Sequence, residues 1–476
     1  MMMKPIFLVV AAVAAGSAAL VGQPFDTLRT APSTVEGQQP PAGQPPQQSE
    51  FRIVINGPPG LPPKLAIAGF IPLSQDAETV AAAKTIGDVL YDDINYEREY
   101  YMIAKDAIAT VPKPVSIDEV PLDRWKELNA NGVIVGTVRK GPAGVIVQVK
   151  LIDVGTGKTA FGKEYSGPVA NPRRYAHTMS DEIFQQQLGL RGVARTRLAF
   201  ASDRSADLMK GPVKNRDVQE IYYVDYDGAN PQRVTTSSTL NVAPAWSPDN
   251  QVIAYTSWRP SSAGSFGVYQ DIILSFITRG GRTTPASGNP DRQNYLAAWS
   301  PDGSKLAFTT NRDGNPEIYV MNKDGSGLRR VTNNPAIDVT PTWSPTGNQI
   351  AWVSDRTGNP KIYIMNADGT GQRTLVGDSY CDRPTWSREP FNEIAYAARN
   401  GPGYDIKIYS FATGEAKRIT DGIGSNESPA FAPNGRHIAF SSTRSGKQQI
   451  YTIGRDGQGL KQLTTVGNNQ TPDWSR

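Results

Sequence analysis

The sequence predicts an N-terminal α/β domain followed by a six-bladed β-propeller whose ring is closed by the C-terminal strand. Three observations carry that reading. A large-Ala-aromatic triplet recurs as Leu198-Ala199-Phe200, Ile253-Ala254-Tyr255, Leu306-Ala307-Phe308, Ile350-Ala351-Trp352, Ile394-Ala395-Tyr396 and Ile438-Ala439-Phe440. Five of the six follow an aromatic phrase, at Trp246, Trp299, Trp343, Trp386 and Phe431. The first triplet lacks that phrase, while "TPDWSR" at Thr471–Arg476 is the phrase without a triplet. Units of roughly 40 to 50 residues built from four short strands are propeller blades. The two deficits complement each other, so Thr471–Arg476 is expected to enter the first blade as its innermost strand, leaving no open sheet edge.

The elements follow in order. "MMMKPIFLVVAAVAAGSAALVG" has Lys4, an apolar run and small residues, the pattern of a secretory signal peptide over 1–22 cut after Ala19 or Gly22. Residues 23–50 form a Gln/Pro-rich linker with too few apolar side chains to fold. Residues 51–192 make the α/β domain. Within it "KLAIAGFIPL" reads as a strand, and a helix follows with Ser74 as its N-cap. "NGVIVGTVRK" and "GVIVQVKLIDVGTGKTAFGKEY" read as further strands, the latter a hairpin turning at Gly155–Gly157, and "NPRRYAHTMSDEIFQQQLGL" as a helix opened by Asn-Pro. Residues 193–476 are the propeller. Each blade follows its triplet with a strand such as "PEIYVMNKDG" and then a short basic strand such as "LRRVTNN", with Asp-Gly turns between. Both faces of a blade are covered by neighbours, so Ala in the triplet leaves room for the adjacent blade's aromatic ring, and charge on the outermost strand discourages edge pairing.

Chemistry is sparse. The formal charge of +4 comes from scattered Lys and Arg, not the clustered stripe that nucleic acid requires. The only histidines, His177 and His437, belong to no metal-spaced cluster and read as packed side chains. The single cysteine, Cys381, excludes an internal disulfide and reads as a small buried hydrophobe. No G-x-S-x-G nucleophile elbow occurs. "GTGKT" at Gly155–Thr159 has Ile152 where a phosphate loop needs glycine, so it is a turn. No catalytic residue, metal site or cofactor is expected.

What remains is a surface. Five residues before each aromatic anchor stand Asn241, Asn294, Asp338, Cys381, Asn426 and Asn469, predicted to line one mouth of the channel. Beside them the sequence varies through Tyr295 and Leu296, Val339 and Thr340, Asp382 and Arg383, Glu427 and Ser428, Gln470 and Thr471. A constant frame with variable tips fits a protein-docking face; capping of turns by the Asn and Asp side chains is the plainer alternative. A cation held by the ring ranks lower.

The stretches "RYAHTMSDEIFQQQLGLRGVARTRLAF" and "GVIVGTV", with blades of the type "WSPDGSKLAF…IYVMNKDG…VT", make the chain from Glu50 onward resemble the TolB family, periplasmic propellers of the Tol–Pal cell-envelope system. The resemblance implies a non-enzymatic periplasmic adaptor whose propeller face docks the peptidoglycan-associated lipoprotein Pal and whose N-terminal segment contacts the inner-membrane protein TolA. Such a role serves outer-membrane integrity and cell division. Family positions contacting Pal match Gln293, Asn294 and Leu296 before Trp299, and Val339 and Thr340 before Trp343. The TolA-contacting segment matches "EFRIVING", with Phe51, Arg52, Ile53, Val54 and Ile55, whose alternation suits strand addition. Unlike typical members, this chain places a Gln/Pro linker before that segment. Other outer-membrane proteins are further candidate partners, and a monomer is expected. Two rival readings are a periplasmic propeller enzyme, or the regulatory half of a peptidase or lyase, and a glycan-binding propeller, for which Tyr295 is the main aromatic platform.

Overall fold

The computed structural model describes residues 53–205, 218–260, 268–284 and 292–476. The expected signal peptide and linker lie outside the described residues, as do Phe51 and Arg52. Residues Ile53–Arg476 form one compact unit.

Its first part is a mixed sheet with helices on both faces. The strands are β1 (Lys64–Pro72), β2 (Tyr101–Met102), β3 (Gly132–Gly141), β4 (Gly144–Asp153) and β5 (Thr159–Gly167), in the order β2-β1-β3-β4-β5. The pairs β1–β2 and β1–β3 are parallel, the remaining two antiparallel. The helices are α1 (Ala77–Glu97), α2 (Lys105–Ile108), α3 (Leu122–Glu127) and α4 (Pro172–Leu188). Helix α1 spaces Ala82, Ala83, Ile86, Leu90 and Ile94 along one face and buries them with Ile183 and Phe184 of α4 against Leu65, Ile134 and Val149. The opposite sheet face is covered by Trp125 of α3 and by the chain around α2. These short helices carry no periodic signal in the sequence.

The cap of α1 corrects one expectation. Asp76, not Ser74, is the N-cap: its carboxylate accepts from the Thr79 N–H at 3.0 Å and from the Thr79 hydroxyl at 2.9 Å. Ser74 lies outside the helix, where its hydroxyl oxygen accepts from the Lys140 N–H. Asn171 caps α4 with Pro172 next to it, and Gly189 at φ 69° ends it in the left-handed conformation that glycine adopts without strain.

Six four-stranded antiparallel sheets follow. The inner strands are Asn241–Trp246, Asn294–Trp299, Asp338–Trp343, Cys381–Trp386, Asn426–Phe431 and Asn469–Trp474. The last pairs with Arg197–Ser202, Trp474 opposite Leu198 and Asn469 opposite Ser202, so the first blade is completed by the C-terminal strand. Trp474 donates its Nε1–H to the Thr196 hydroxyl at 2.7 Å, and Asn250 of the second blade brackets Arg476 by accepting from its N–H and donating to its carbonyl.

The triplet alanines Ala199, Ala254, Ala307, Ala351, Ala395 and Ala439 have no exposed surface. Each packs in the cluster of the next blade: Ala307 against Trp343 and Trp352, Ala351 against Trp386 and Tyr396, Ala439 against Trp474 and Phe200. The small residue is thus the socket for the neighbour's ring, and a larger side chain there would force the blades apart.

The sheet-and-helix domain packs on the end of the propeller where the inner strands finish. Glu97 accepts from the Val193 N–H (2.8 Å), Asn434 Nδ2 (3.1 Å) and Arg436 Nη2 (2.7 Å). Arg98 forms a two-pronged pair with Asp456. His437 stacks on Tyr96, with ring centroids 4.5 Å apart. Asp93 takes Tyr226 Oη at 2.6 Å and His177 Nδ1 at 2.8 Å. Both histidines are therefore packed in the junction. Burial raises the Glu97 carboxyl to about 7, against the pull of Arg436, and lowers His437 to about 3.

Candidate functional site

The propeller's other end is the mouth, where the inner strands begin. Asn241, Asn294, Asp338, Cys381, Asn426 and Asn469 are the first residues of those strands, and all six side chains are buried. This corrects the expectation that they offer hydrogen bonds to a partner. Asn426 donates Nδ2 to Asp405 of the preceding blade (3.0 Å), while its Oδ1 accepts from Arg444 (3.2 Å) and Ser442 (2.8 Å) of its own. Asn469 repeats this with Gln449 behind and Arg204 beside it, and Asn294 with Asp271 and Arg312. Asn241 reaches back to Glu220 at 3.1 Å. An amide both donates and accepts, so one residue type rivets two blades together. Arg204, Arg312, Arg356 and Arg444 are held in turn over the aromatic pairs Phe200/Tyr222, Phe308/Tyr319, Trp352/Tyr363 and Phe440/Tyr451.

Two blades deviate. Asp338 stands where Asn is usual and pairs with Arg356 at 2.7 Å; burial raises its carboxyl above the ordinary range, with Glu317 of the preceding blade adding repulsion. Cys381 is packed with Trp386 and Tyr396, its thiol 3.4 Å from the Asp378 carbonyl, and burial pushes its pKa to about 12. It is inert by environment. Tyr295 is also buried, which removes it as a glycan platform.

The residues two places further on share a conformation that the sequence does not signal. Ala243, Leu296, Thr340, Arg383, Ser428 and Thr471 all have φ between 47 and 55°. None is glycine, asparagine or aspartate, the types that ordinarily mark this region. Each lies where the inner strand's register slips. The bulge turns N–H groups across the blade boundary: Leu296 donates to Thr256 Oγ1 (3.0 Å), Thr340 to Thr309 Oγ1 (3.3 Å) and Ala243 to Thr471 Oγ1 (3.1 Å).

Between rivet and bulge lies one residue per blade, and in five blades it is presented at the rim, Tyr295 being the buried exception. Val242, Val339, Glu427 and Gln470 are half-buried and Asp382 is exposed. Gln293 sits one place before its rivet, half-buried, its side-chain carbonyl accepting from the Gln270 N–H. Asp382 faces water yet is crowded by the funnel walls, which raises its carboxyl; Arg383 opposes the shift. Glu427 is steadied by the Ser425 hydroxyl at 2.5 Å and Gln470 by Gln219 at 2.6 Å. Of the expected docking residues, the structure therefore brings Gln293, Val339, Asp382, Arg383, Glu427 and Gln470 to one accessible face. It withdraws the six first-strand residues, Tyr295 and the buried Thr340, while Leu296, half-buried like Arg383, shares with it the bulge conformation.

The N-terminal segment differs from its expected form. Residues Ile53–Ile55 are not a strand: the Ile55 N–H donates to Gln187 Oε1 (3.0 Å), and Gln187 Nε2 reaches the carbonyls of Ile53 (3.3 Å) and Ala160 (3.2 Å). Ile55 is buried in the first core and Ile53 packs against it, so the alternation serves the domain interior, while Val54 is half-buried.

Among the described residues no group of His, Cys, Asp and Glu is placed to hold a metal ion, and no helix is long and apolar enough to cross a membrane. Fold and site together define a closed six-bladed propeller with a polar mouth on one end and an α/β domain on the other. The family described as TolB amino-terminal domain matches residues 51–160 and that described as TolB beta propeller domain matches residues 184–476; the chain belongs to the TolB family. It is 30% identical over 432 residues to the Tol-Pal system protein TolB of Bordetella parapertussis, covering 90% of this chain and 91% of that one. It is 32% identical over 272 residues to the protein of the same name from Desulfosudis oleivorans, covering 57% of each chain. A 32% match over 296 residues to that of Anaeromyxobacter dehalogenans covers 62% of this chain and 63% of that one. The last two matches thus span about three fifths of those relatives' length. The crystal structure of TolB from Acinetobacter baumannii superposes with a TM-score of 0.72 over 87% of this chain and 97% of that one, at 24% identity, a likeness of fold.

Proposed function

We propose that this chain is a non-enzymatic adaptor of the Tol–Pal system, working in the periplasm and docking a peptidoglycan-associated lipoprotein on its propeller mouth. The observation that carries the reading is the division of labour at the rim: a frame riveted from blade to blade, bearing accessible side chains that differ from one blade to the next. Rigid frames with variable tips bind proteins with little ordering cost. The accessible set, Gln293, Val339, Asp382, Arg383, Glu427 and Gln470, mixes both charges with amides and one apolar residue, which suits a polar protein surface.

A TolA-like inner-membrane protein is the second proposed partner, met through the N-terminal segment. Because Ile53 and Ile55 are tied by Gln187, that partner takes residues ahead of Ile53, Phe51 and Arg52 among them, or displaces the clamp. Coupling the two partners would serve outer-membrane integrity and cell division. The deciding experiment is calorimetric titration of the full chain with the soluble domain of the lipoprotein from the same organism. Saturable binding that the double variant Asp382→Lys/Glu427→Lys weakens at least tenfold supports the proposal. No heat of binding, or equal affinity of variant and parent, defeats it.

A further inference from the structure

The channel holds a cavity of about 740 Å³ lined by the inner strands of all six blades and, at the domain end, by Gly189–Arg191. Pro244, Pro341, Pro384, Pro429 and Pro472 ring it midway along the inner strands, and its floor is the end that meets Gly189–Arg191. Such a volume suits a small molecule. Proline has no N–H and offers no donor at those five positions, while the guanidinium groups of Arg191, Arg388 and Arg476 line the same cavity.

The arginines there keep free donors. Many arginines of the propeller and the junction are consumed: Arg204, Arg312, Arg356 and Arg444 by the rivets, Arg436 by Glu97, Arg455 by Glu393 and Arg98 by Asp456. Arg191 is exposed and Arg388 half-buried, and neither guanidinium has a hydrogen bond or ion pair among the described residues. Arg476 spends one N–H on the Pro301 carbonyl at 2.7 Å. Burial, with Arg191 nearby as a second positive charge, lowers its pKa to about 10, so these cations are crowded. Two carboxylates also line the cavity. Glu389 is exposed, and Asp473 accepts the Trp246 N–H at 2.6 Å and is raised to about 7 by burial.

We propose that this floor is an anion site, taking the oxyanion of a phosphate- or carboxylate-bearing small molecule between Arg191, Arg388 and Arg476. Planar guanidinium forks match such oxygens two at a time, and a concave wall concentrates their field. The cavity is continuous with the mouth through Arg383, but Arg388 and Arg476 lie past the far ends of the inner strands, so the proposal does not rest on the docking role.

The test uses the full chain and three probes: inorganic phosphate, pyrophosphate and citrate. Trp246, Trp299, Trp343, Trp386 and Trp474 line the cavity and report occupancy by fluorescence, with calorimetry alongside. Saturable binding is expected for at least one probe in 150 mM chloride, weakened at least tenfold in Arg191→Gln/Arg388→Gln and tightened a few-fold in Glu389→Gln. Preference for pyrophosphate identifies a phosphate ligand; preference for citrate identifies a carboxylate. Arg191→Gln alone, at an exposed unpaired residue, serves if the double variant melts early. Absence of saturation with all three probes, or binding that the arginine variants leave unchanged, overturns the proposal.

Discussion

The two ends of the propeller handle their polar groups in opposite ways. At the mouth, Asn294, Asn426 and Asn469 spend their hydrogen bonds on neighbouring blades, and what faces outward is a thin ring of unlike side chains. At the domain end, the propeller sends Asn434, Arg436, His437 and Asp456 across to the α/β domain, and leaves Arg191 and Arg388 without partners. The difference teaches that repetition marks the frame and departure from it marks the site. The residues that looked most like a docking ring, because they recur in every blade, are the ones the fold needs for itself.

The strongest way to break the comparison is to break the ring on which both ends stand. Removing residues 471–476 strips blade 1 of its inner strand, exposes Leu198 and Phe200, and frees the Trp474 socket at Ala439. A fall in melting temperature of more than about 10 °C, with loss of a single cooperative transition, is expected from the apolar surface exposed. An unchanged calorimetric melt would mean that the closure is ornamental.

Next comes the rivet itself. Asp338→Lys places a cation beside buried Arg356, and a cost on the order of 3–5 kcal/mol is expected. Asp338→Asn instead restores the residue the other rivets use: the amide accepts from Arg356 and can donate toward Glu317, whose charge now opposes it. That variant should match or exceed the parent in urea unfolding, within about 1 kcal/mol. If Asn proved as harmful as Lys, the inter-blade rivet would be wrong for this blade.

The domain end can be probed by acid. His437 is faced by Tyr96, Arg436, Glu97, Arg98 and Asp456. Its folded pKa, about 3, lies below the unfolded value of 6.5, so the unfolded chain binds the extra proton between those limits. Stability therefore falls as pH drops from 6.5 toward 3. Glu97, raised to about 7 from 4.5, runs the other way: between those limits the folded state holds the proton, and stability rises as pH falls. His437→Phe keeps the stacked ring and removes the first slope. Relative to the parent it should gain roughly 1 kcal/mol per pH unit below 6.5, read from thermal melts. A parallel pH profile would show that His437 is not neutral in the junction.

Much of this was legible in the sequence, and the reasons differ by element. The blade count, the inner-strand phrase and the closure were written in residues that repeat because each blade meets the same neighbour; Ala307 and Trp343 are one contact copied around a circle. The docking face was half legible. Sequence position locates Asn426 at the mouth, but only geometry reveals that its amide points sideways to Asp405 and Arg444. The signal was present in "SDR", "TNR", "SDR" and "STR" after the second strands, where an arginine recurs in step with each polar residue. The six left-handed bulges left no trace, because tertiary contacts hold Leu296 and Thr340 in a conformation their types do not prefer. The Gln187 clamp was equally hidden, since its partners Ile53 and Ala160 are distant in sequence.

The smallest expected effect on stability is the most telling for function. Asp382 and Glu427 stand on the rim beside the rivets, and neither spends its carboxylate on the frame: Asp382 accepts only from its neighbour's N–H, Glu427 only from Ser425. Reversing both charges should leave the melting temperature within a few degrees, since exposed substitutions away from buried partners cost within about 0.5 kcal/mol. A partner docked on the mouth would still meet two inverted charges at its contact, and like charge across an interface costs several kcal/mol and slows encounter. The double variant should therefore separate binding from folding, where Asp338→Lys cannot. If it melts early, the rim belongs to the frame after all and the contrast between the two ends dissolves. If it melts normally and binds the lipoprotein domain as the parent does, the docking surface lies elsewhere on the propeller.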